Sequence, residues 1–500
     1  MTMSNQSSAS PLYAVIDLGS NSFHMLIARL IANGVQTVDK VKRKVRLASG
    51  LNENNELSEE AMARGLECLS FFAERLQDIE AENIRIVATA TLRIATNAEE
   101  FIRRAELVLG KKVIVLTGEQ EAQAIYLGVA HTSEGNVRRM VLDIGGASTE
   151  IAIGGEFDLD KAISLDIGCV TYKQKFFSDN LLNESNFEHA INQAKSVLAK
   201  EKAAFLNLGW QMTLGGSGTM QAIAEVLMTR NLPAVITADI LYELKGLLIE
   251  CGDIDTIEIE GLLTERKPVI ASGLSILIAL FESFNISFMQ LSSGALREGL
   301  LYEMLPDMRQ MNIRNRTINS LCERFHIDLE HANRVQKQAL SLYQNHASQW
   351  QLDNSNIAQL LSASCALHEA GLLLSYKYQA QHGAYILKHA DLPGFDQTER
   401  QLIVSLVQFQ KADIDADSLA NLAIVNNQQS IRLVIIMRLA IILCRRRRDD
   451  VLPEYQSEIS ANSITLSFSQ EWLTHHPLLA DELMQENKHL AALGYQLIIN

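Results

Sequence analysis

The stretch RMVLDIGGASTEIAI, residues 139–153, predicts an apolar strand, a tight turn and a second strand with alternating polarity. Asp143 stands where the first strand ends, and Gly145 and Gly146 follow it. Glycine lets the backbone approach a ligand closely, and successive N–H groups in such a turn form an anion site. A carboxylate beside that site repels a phosphate unless a cation lies between them, so the stretch predicts Mg²⁺ together with a phosphate group.

The segment YAVIDLGSNSFHM, residues 13–25, repeats this pattern about one domain length earlier, with Asp17 in the place of Asp143. One Asp-Gly turn is weak evidence, because such turns join strands in many proteins, and a single copy is best interpreted as a structural hairpin. Two copies at this spacing predict a duplicated fold whose turns face each other across a cleft. They favour nucleotide or polyphosphate chemistry.

The bulk properties of the chain exclude several classes of protein. A chain of 500 residues is too long for one core and predicts three or four domains. The net charge of −15 argues against general nucleic-acid binding. The longest apolar run, residues 269–281, is too short to span a bilayer and predicts a buried helix, so we expect no membrane partner. The six cysteines lack paired spacing, and residues 1–10 lack a secretory signal, so we expect a cytoplasmic protein.

Two segments of the first 130 residues carry possible catalytic groups. Thr117 and Gln120 match a capping box, which predicts a helix start in which Glu121 is either a favourable first-turn acid or a base for water. Arg93 follows the strand at residues 84–88, where it suits either phosphate contact or an ordinary exposed turn.

Basic residues over positions 38–47 have two interpretations. They form either a solvated strand edge or a positive rim that guides a polyanion into the cleft. The candidate rim residues for substrate are Arg43, Arg46 and Arg266. Two further glycine-rich turns, residues 212–219 and 291–299, are typical of anion binding at a helix start.

From about Pro306 the sequence predicts amphipathic helices, placed at residues 317–325, 330–345 and 356–374, with a small terminal sheet near residues 464–468. Histidines 368, 382 and 389 with Glu369 suggest a metal site, but packing and surface roles are favoured. The run at residues 445–448, four arginines, is interpreted as a helix end, with contact to a polyanion as the alternative.

Three of these motifs together resemble the phosphate loops of the actin-like ATPase superfamily: DLGSNS at 17–22, DIGGASTE at 143–150 and GGSGT at 215–219. Adding ATLR at 90–93, GEQEA at 118–122 and GALREG at 294–299 narrows the resemblance to the Ppx/GppA phosphatase family. The segments at 42–50, 87–91, 128–132 and 445–450 are more similar to its guanosine-pentaphosphate branch than to its polyphosphate branch.

This resemblance implies an α/β actin-like fold of the ribonuclease-H type in tandem, then an all-α HD-like domain without metal chemistry, then a small α+β domain. The implied domains are residues 1–124, 125–305, 306–415 and 416–500. A homodimer is the natural assembly for paired helical domains.

The resemblance also implies site residues. The family's base falls on Glu121, with Gln120 where the family usually has a second Glu, so a helper carboxylate is in question. The other catalytic positions are Arg93, Asp143 and Glu150, and Mg²⁺ falls on Asp143 with Asp17. Cys169 matches a position without an assigned role. The implied phosphate-binding residues are Gly19, Ser20, Asn21, Ser22, Gly145, Gly146, Ala147, Ser148, Gly216, Ser217 and Gly218.

The activity implied is hydrolysis of the terminal 5′ phosphate of pppGpp, giving ppGpp, in the stringent response. An exopolyphosphatase acting on inorganic polyphosphate would use the same residues, and both activities can coexist. Two other classes remain open: a kinase, since sugar and acetate kinases share these loops, and a non-catalytic alarmone sensor.

Overall fold

Both predicted strand–turn–strand segments are present in the computed structural model, which describes residues 10–133, 137–230, 232–310, 312–411 and 414–500. The chain divides into two units, Met1–Leu30 with Val35–Met311 and Ile31–Gly34 with Asn312–Asn500. The boundary between the units lies close to Pro306, from which the sequence predicts amphipathic helices. The finer division into four domains stays a prediction.

The first unit contains two α/β halves, each built on one Asp-Gly turn. In the first half, the helices are α1 (Glu59–Leu76), α2 (Ala90–Ile94), α3 (Ala98–Leu109) and α4 (Gly118–Ala130). Its strands are β1 (Leu12–Leu18), β2 (Ser22–Ile31), β3 (Gly34–Lys44), β4 (Ile84–Ala88) and β5 (Ile114–Val115). Among the described residues they form one sheet in the order β3-β2-β1-β4-β5.

The second half repeats this design. Its helices are α5 (Cys169–Phe176), α6 (Glu184–Leu208), α7 (Gly218–Thr229), α8 (Ala238–Cys251), α9 (Lys267–Phe284) and α10 (Leu296–Glu303). Its strands are β6 (Arg138–Ile144), β7 (Thr149–Gly155), β8 (Asp158–Leu165), β9 (Met212–Gly215), β10 (Val235–Thr237) and β11 (Phe288–Leu291). Within the described ranges the order is β10-β11-β9-β6-β7-β8, so β8-β7-β6-β9-β11 corresponds strand by strand to the first sheet, with β10 added at the edge.

The two halves also agree in the relative directions of their paired strands. The first strand of each half pairs antiparallel with the second and parallel with the strand that follows the first helical segment. The carboxyl ends of β1 and β6 therefore carry Asp17 and Asp143 at equivalent places. The predicted tandem α/β architecture is confirmed.

Sequence predictions for individual helices mostly hold. Ser58 caps α1 and Thr117 caps α4 with the expected capping box. The side chain of Asn183 caps α6 by accepting from the N–H of Asn186. Helix α9 is long and apolar enough to cross a membrane, yet it is packed inside the core of the second half, as the buried-helix prediction states.

The second unit is mainly helical. Its helices are α11 (Ile313–Arg324), α12 (Leu329–His346), α13 (Ser355–Ala366), α14 (Gln379–His389), α15 (Gln397–Gln408), α16 (Ala416–Ala420), α17 (Asn427–Leu443), α18 (Gln470–His475) and α19 (Pro477–Ala491). Its strands β12 (Gln456–Ile459), β13 (Ser463–Ser467) and β14 (Gln496–Ile499) form the predicted small terminal sheet.

Two predicted helix bounds in this unit are wrong. Helix α11 begins four residues early because the side chain of Asn312 caps it by accepting from the N–H of Asn315. Helix α13 ends at Ala366 rather than 374, and the segment continues as a 3₁₀ turn, Ala370–Leu373. At this end the His368 ring donates to the Cys365 carbonyl, which satisfies a group that a longer helix would have used.

A buried ion pair joins α17 to α19 and generates a stability prediction. Arg438 donates to both oxygens of Glu486, at 2.6 and 2.7 Å, and also to the Phe409 carbonyl at 2.8 Å. Both charged side chains are buried. Glu486→Ala removes the carboxylate that accepts two hydrogen bonds from this buried guanidinium, and we expect a loss of about 3–5 kcal/mol in the free energy of unfolding, measured by urea denaturation.

The matched control is Glu482→Ala on the same helix, α19. Glu482 pairs with Arg445, whose side chain is half exposed. An exposed ion pair contributes about 0–1 kcal/mol, so this variant should unfold near the wild-type midpoint. Equal losses of unfolding free energy in the two variants would contradict the stabilising role assigned to the buried Arg438–Glu486 pair.

Candidate functional site

A cavity of about 410 Å³ lies between the two halves of the first unit. Both Asp-Gly turns contribute to its wall, together with the β9–α7 turn, α4 and part of β3. The predicted site residues that line it are Asp17, Gly19, Ser20, Asn21, Ser22, Glu121, Asp143, Gly145, Gly146, Ser148, Glu150, Gly216, Ser217, Gly218 and Arg266.

The two turns close in the same way and touch each other. A Cβ on Gly19 would stand 2.8 Å from the Ser22 carbonyl oxygen, and one on Gly145 would stand 3.1 Å from the Ser148 carbonyl oxygen. A side chain at Gly19 would force the backbone to shift, and one at Gly145 would be unusually crowded, so glycine suits both turns. A Cβ on Gly146 would lie 3.0 Å from the Ser20 Cβ, so the turns meet directly.

Asp17 and Asp143 place two carboxylates at the base of this cavity. Burial, and next the charge of Asp17, raise the pKa of Asp143 to about 7, while Arg297 acts in the opposite direction. The Oδ1 atom of Asp17 is buried without a hydrogen-bond partner in the described structure, and its Oδ2 lies 3.5 Å from His24 Nδ1. A divalent cation would satisfy the orphaned oxygen and cancel the repulsion, so this donor set fits Mg²⁺.

Glu121 is held by the start of α4. The capping box of Thr117 and Gln120 fixes the first turn, which directs Glu121 inward and leaves Glu119 and Gln120 exposed. Arg93 Nη1 donates to Glu121 Oε2 at 2.9 Å and to the Leu116 carbonyl at 3.0 Å. Burial raises the pKa of Glu121 to about 7, although Arg93 lowers it. Glu121 therefore titrates in the range where a general base is most effective.

Glu150 lies beside Glu121, on β7. Its backbone pairs with Asp143, and its Oε1 accepts from the Ser164 hydroxyl at 2.8 Å. Burial, and next the proximity of Glu121, raise the pKa of Glu150 well above its usual range. Arg93 bonds to Glu121 and lowers its pKa, so of these two carboxyl groups Glu121 is the one whose ionised form the arginine favours.

The third glycine turn, at the end of β9, also lines the cavity. A Cβ on Gly216 would lie 3.8 Å from Asp143 Oδ2, so this backbone borders the carboxylate pair. Ser217 is the N-cap of α7, whose positive end faces the cavity. The guanidinium of Arg266 lies over Gly218, where a Cβ would stand 2.1 Å from its Nη1.

Four predicted residues stand outside the lining of the cavity. Arg93 lies behind Glu121, and the backbone of Ala147 packs on Gly168. The guanidinium carbon of Arg43 lies 5.4 Å from the ring centroid of Phe71. The carbonyl of Arg46 accepts hydrogen bonds from the side chains of Ser49 and Arg64. The structure thus separates Arg43 and Arg46 from Arg266, the remaining member of the predicted rim.

Lysines of β3 take the place expected for the arginines. Lys40 and Lys42 line the cavity, and they bond Glu298 at 3.2 Å and Glu265 at 3.4 Å. The sequence analysis did not name these lysines. The two-residue period of a strand could have identified them, because it puts residues 40, 42 and 44 on one face of β3 and Arg43 on the other.

Cys169 also lines the cavity, and it acts on the Asp143 turn. Its N–H donates to the Gly145 carbonyl at 2.9 Å, and the Val170 N–H donates to the Gly146 carbonyl at 2.8 Å. The start of α5 therefore holds both glycine carbonyls away from the cavity. Burial raises the pKa of the Cys169 thiol to about 11, so it is neutral.

Comparison with known proteins identifies relatives over the whole chain. The profile of the Ppx/GppA phosphatase family matches residues 26–308, and that of Ppx/GppA phosphatase, domain III, matches residues 313–487. A protein of Pseudoalteromonas translucida named guanosine-5′-triphosphate,3′-diphosphate pyrophosphatase is 48% identical over 489 residues, which cover 98% of each chain. A protein of Vibrio vulnificus with the same name is 45% identical over 495 residues, covering 99% of each.

A solved structure has the same architecture over the first unit. The crystal structure of the Aquifex aeolicus member of the Ppx/GppA family is 26% identical, with a TM-score of 0.52, over 60% of this chain and 99% of that one. Because the family profiles match most of the chain and relatives near half identity cover nearly all of it, this chain belongs to the Ppx/GppA phosphatase family.

Proposed function

We propose that this chain hydrolyses the terminal 5′ phosphoanhydride bond of pppGpp, releasing ppGpp and orthophosphate. The observation that carries the proposal is the meeting of three glycine turns, two aspartates and Glu121 in one cavity. Phosphoryl transfer depends mainly on positioning and on charge neutralisation, which these groups can supply. Relatives that match this chain end to end are named for the same substrate.

Substrate binding uses the wall of the cavity. The backbone of the glycine turns and the positive end of α7 would receive the terminal phosphates. Arg266 and Arg297, which both line the cavity, would neutralise their oxygens. Asp17 and Asp143 would hold Mg²⁺, which supplies charge neutralisation on the phosphate oxygens when bound.

Glu121 carries out the proton transfer. Its ionised carboxylate takes a proton from a water molecule as the water oxygen attacks the terminal phosphorus. The bond from that phosphorus to the bridging oxygen breaks, and the bridging oxygen stays on ppGpp. Arg93 keeps Glu121 ionised and oriented without lining the cavity, so it is a positioning residue.

Further features of fold, assembly and location belong to the same proposal. The helices of the second unit would have an HD-like fold, supported by their packing around the buried helix α17. The enzyme would be a cytoplasmic homodimer that acts apart from membranes and nucleic acids, in keeping with its acidic net charge of −15.

The direct test is phosphate release from a panel of substrates with Mg²⁺. We expect kcat/KM on pppGpp to exceed that on GTP, ATP and long-chain polyphosphate. Chelation of the metal should abolish release, and added Mg²⁺ should restore it. A preference for polyphosphate would replace the proposal with exopolyphosphatase. Tight binding of pppGpp without turnover would favour a sensor, and release only in the presence of an acceptor would favour a kinase.

Glu121→Gln tests the base. The amide keeps the shape of the side chain but cannot accept a proton from water, so kcat for phosphate release from pppGpp should fall roughly 10²–10⁴-fold. Glu119→Gln is the matched control, since Glu119 is exposed on the same helical turn and should keep the wild-type rate. A wild-type rate for Glu121→Gln would refute the role of this residue.

The pH profile tests Arg93. Because Glu121 must be ionised and its pKa is raised to about 7, kcat/KM should rise with pH through about 7. Arg93 lowers the pKa of Glu121, so in Arg93→Met the rise of kcat/KM should occur at higher pH. In alkaline buffer, where Glu121 is ionised again, the variant should recover much of the wild-type rate. A loss of rate that is uniform across pH would instead mean that Arg93 stabilises the transition state directly.

A further inference from the structure

A second cluster of ionisable side chains is buried in the helical unit, apart from the cavity described above. His331 belongs to the first turn of α12, while His368 and Glu369 follow the end of α13. One ligand atom from each of the three lies within 4.8 Å of the others. The exposed fractions of the three residues are 3%, 1% and 7%.

The imidazoles of this cluster are prepared to act as ligands. Nδ1 of His368 lies 2.7 Å from the Cys365 carbonyl oxygen, which can only accept, so Nδ1 carries the proton and Nε2 presents its lone pair. A carbonyl that orients a ring in this way is the usual support of a metal-binding histidine. Nδ1 of His331 is buried without a hydrogen-bond partner within the described chain, and its Nε2 lies 4.0 Å from Glu369 Oε1.

The position of a cation at this cluster is taken by Arg447, which follows α17. Its Nη1 donates to Asp328 Oδ2 at 3.0 Å and to Glu369 Oε2 at 3.3 Å, and its Nη2 bonds Glu369 Oε1. The side chain of Arg447 is 42% exposed, whereas that of Glu369 is 8% exposed. The guanidinium therefore covers the buried carboxylate from the solvent side.

We propose that His331, His368 and Glu369 form a transition-metal site that Arg447 closes as an internal cation, so that Zn²⁺ and the guanidinium compete for Glu369. Two imidazole nitrogens and one carboxylate oxygen are a common donor set for Zn²⁺, with a fourth position for water. Arg447 blocks this set by bonding both carboxylate oxygens. The absence of metal chemistry that the resemblance implies for this domain then follows from occupancy by Arg447, since the ligands themselves are present.

Competition predicts which change exposes the site. Zn²⁺ must break the two charge-assisted hydrogen bonds from Arg447 to Glu369, and bonds of that kind weaken a competing ligand by roughly tenfold or more. Arg447→Met removes the charge and keeps an unbranched apolar side chain. We expect full-length R447M to bind one more Zn²⁺ than wild type in the same concentration range, or to bind it at least about tenfold more tightly, by isothermal titration of chelator-treated protein.

Two controls locate the binding event. R448M removes a neighbouring arginine that pairs with Asp450 outside the cluster, so it should bind Zn²⁺ as wild type does. The double variant R447M/H368A should lose the gain. Zn²⁺ that binds to carboxylates of the cavity in the first unit contributes equally to the titrations of all these proteins, so it does not affect the difference between them.

Equal Zn²⁺ affinity and stoichiometry in R447M and wild type would overturn the proposal, and so would a gain that persists in R447M/H368A. If R447M fails to fold, R447K carries the same test, because lysine keeps the positive charge but lacks the two-pronged contact with Glu369. R447K should then bind Zn²⁺ several-fold more tightly than wild type, and unchanged binding would reject the competition.

Discussion

Two carboxylates that line the same cavity, Asp17 and Asp143, are the constraint on which the first unit depends. Each stands at the carboxyl end of the first strand of its half, where the strand must turn. Burial, and next the charge of Asp17, make the charged form of Asp143 costly and raise its pKa to about 7. A cation with an anionic ligand offsets that cost, so the carboxylate pair favours a metal–phosphate ligand over either component alone.

The duplicated sheet explains how two distant segments of chain reach the same cavity. In each half the second strand pairs antiparallel with the first, so its turn is short and its glycine is fixed by a carbonyl only 2.8–3.1 Å from the missing Cβ. Contact between Gly146 and Ser20 then brings the turns together. Helix α5 completes the arrangement by binding the carbonyls of Gly145 and Gly146.

Local sequence patterns predicted the strands, the turns and several helix caps because each depends on neighbours along the chain. The capping box at Thr117 is one example, and the buried apolar helix α9 is another. Orientation across the chain was harder to predict. The sequence left open whether Arg93 contacts phosphate or is an exposed turn residue. In the structure its guanidinium donates to Glu121, which lies 28 residues away along the chain. Strand period alone separates Lys40 and Lys42 from Arg43, but which face meets the cavity is set by tertiary packing.

The question of a helper carboxylate has a structural answer that the motif could not give. The residue before Glu121 is Gln120, whose side chain accepts from the Thr117 N–H and whose exposure removes it from the cavity. The acid beside Glu121 comes instead from β7, as Glu150. The charge of Glu121 raises the pKa of Glu150, and an arginine that bonds to one member of such a pair favours the charged form of that member. Because Arg93 bonds to Glu121, the ionised form is favoured on the residue that the capping box directs into the cavity, which is the residue proposed as the base.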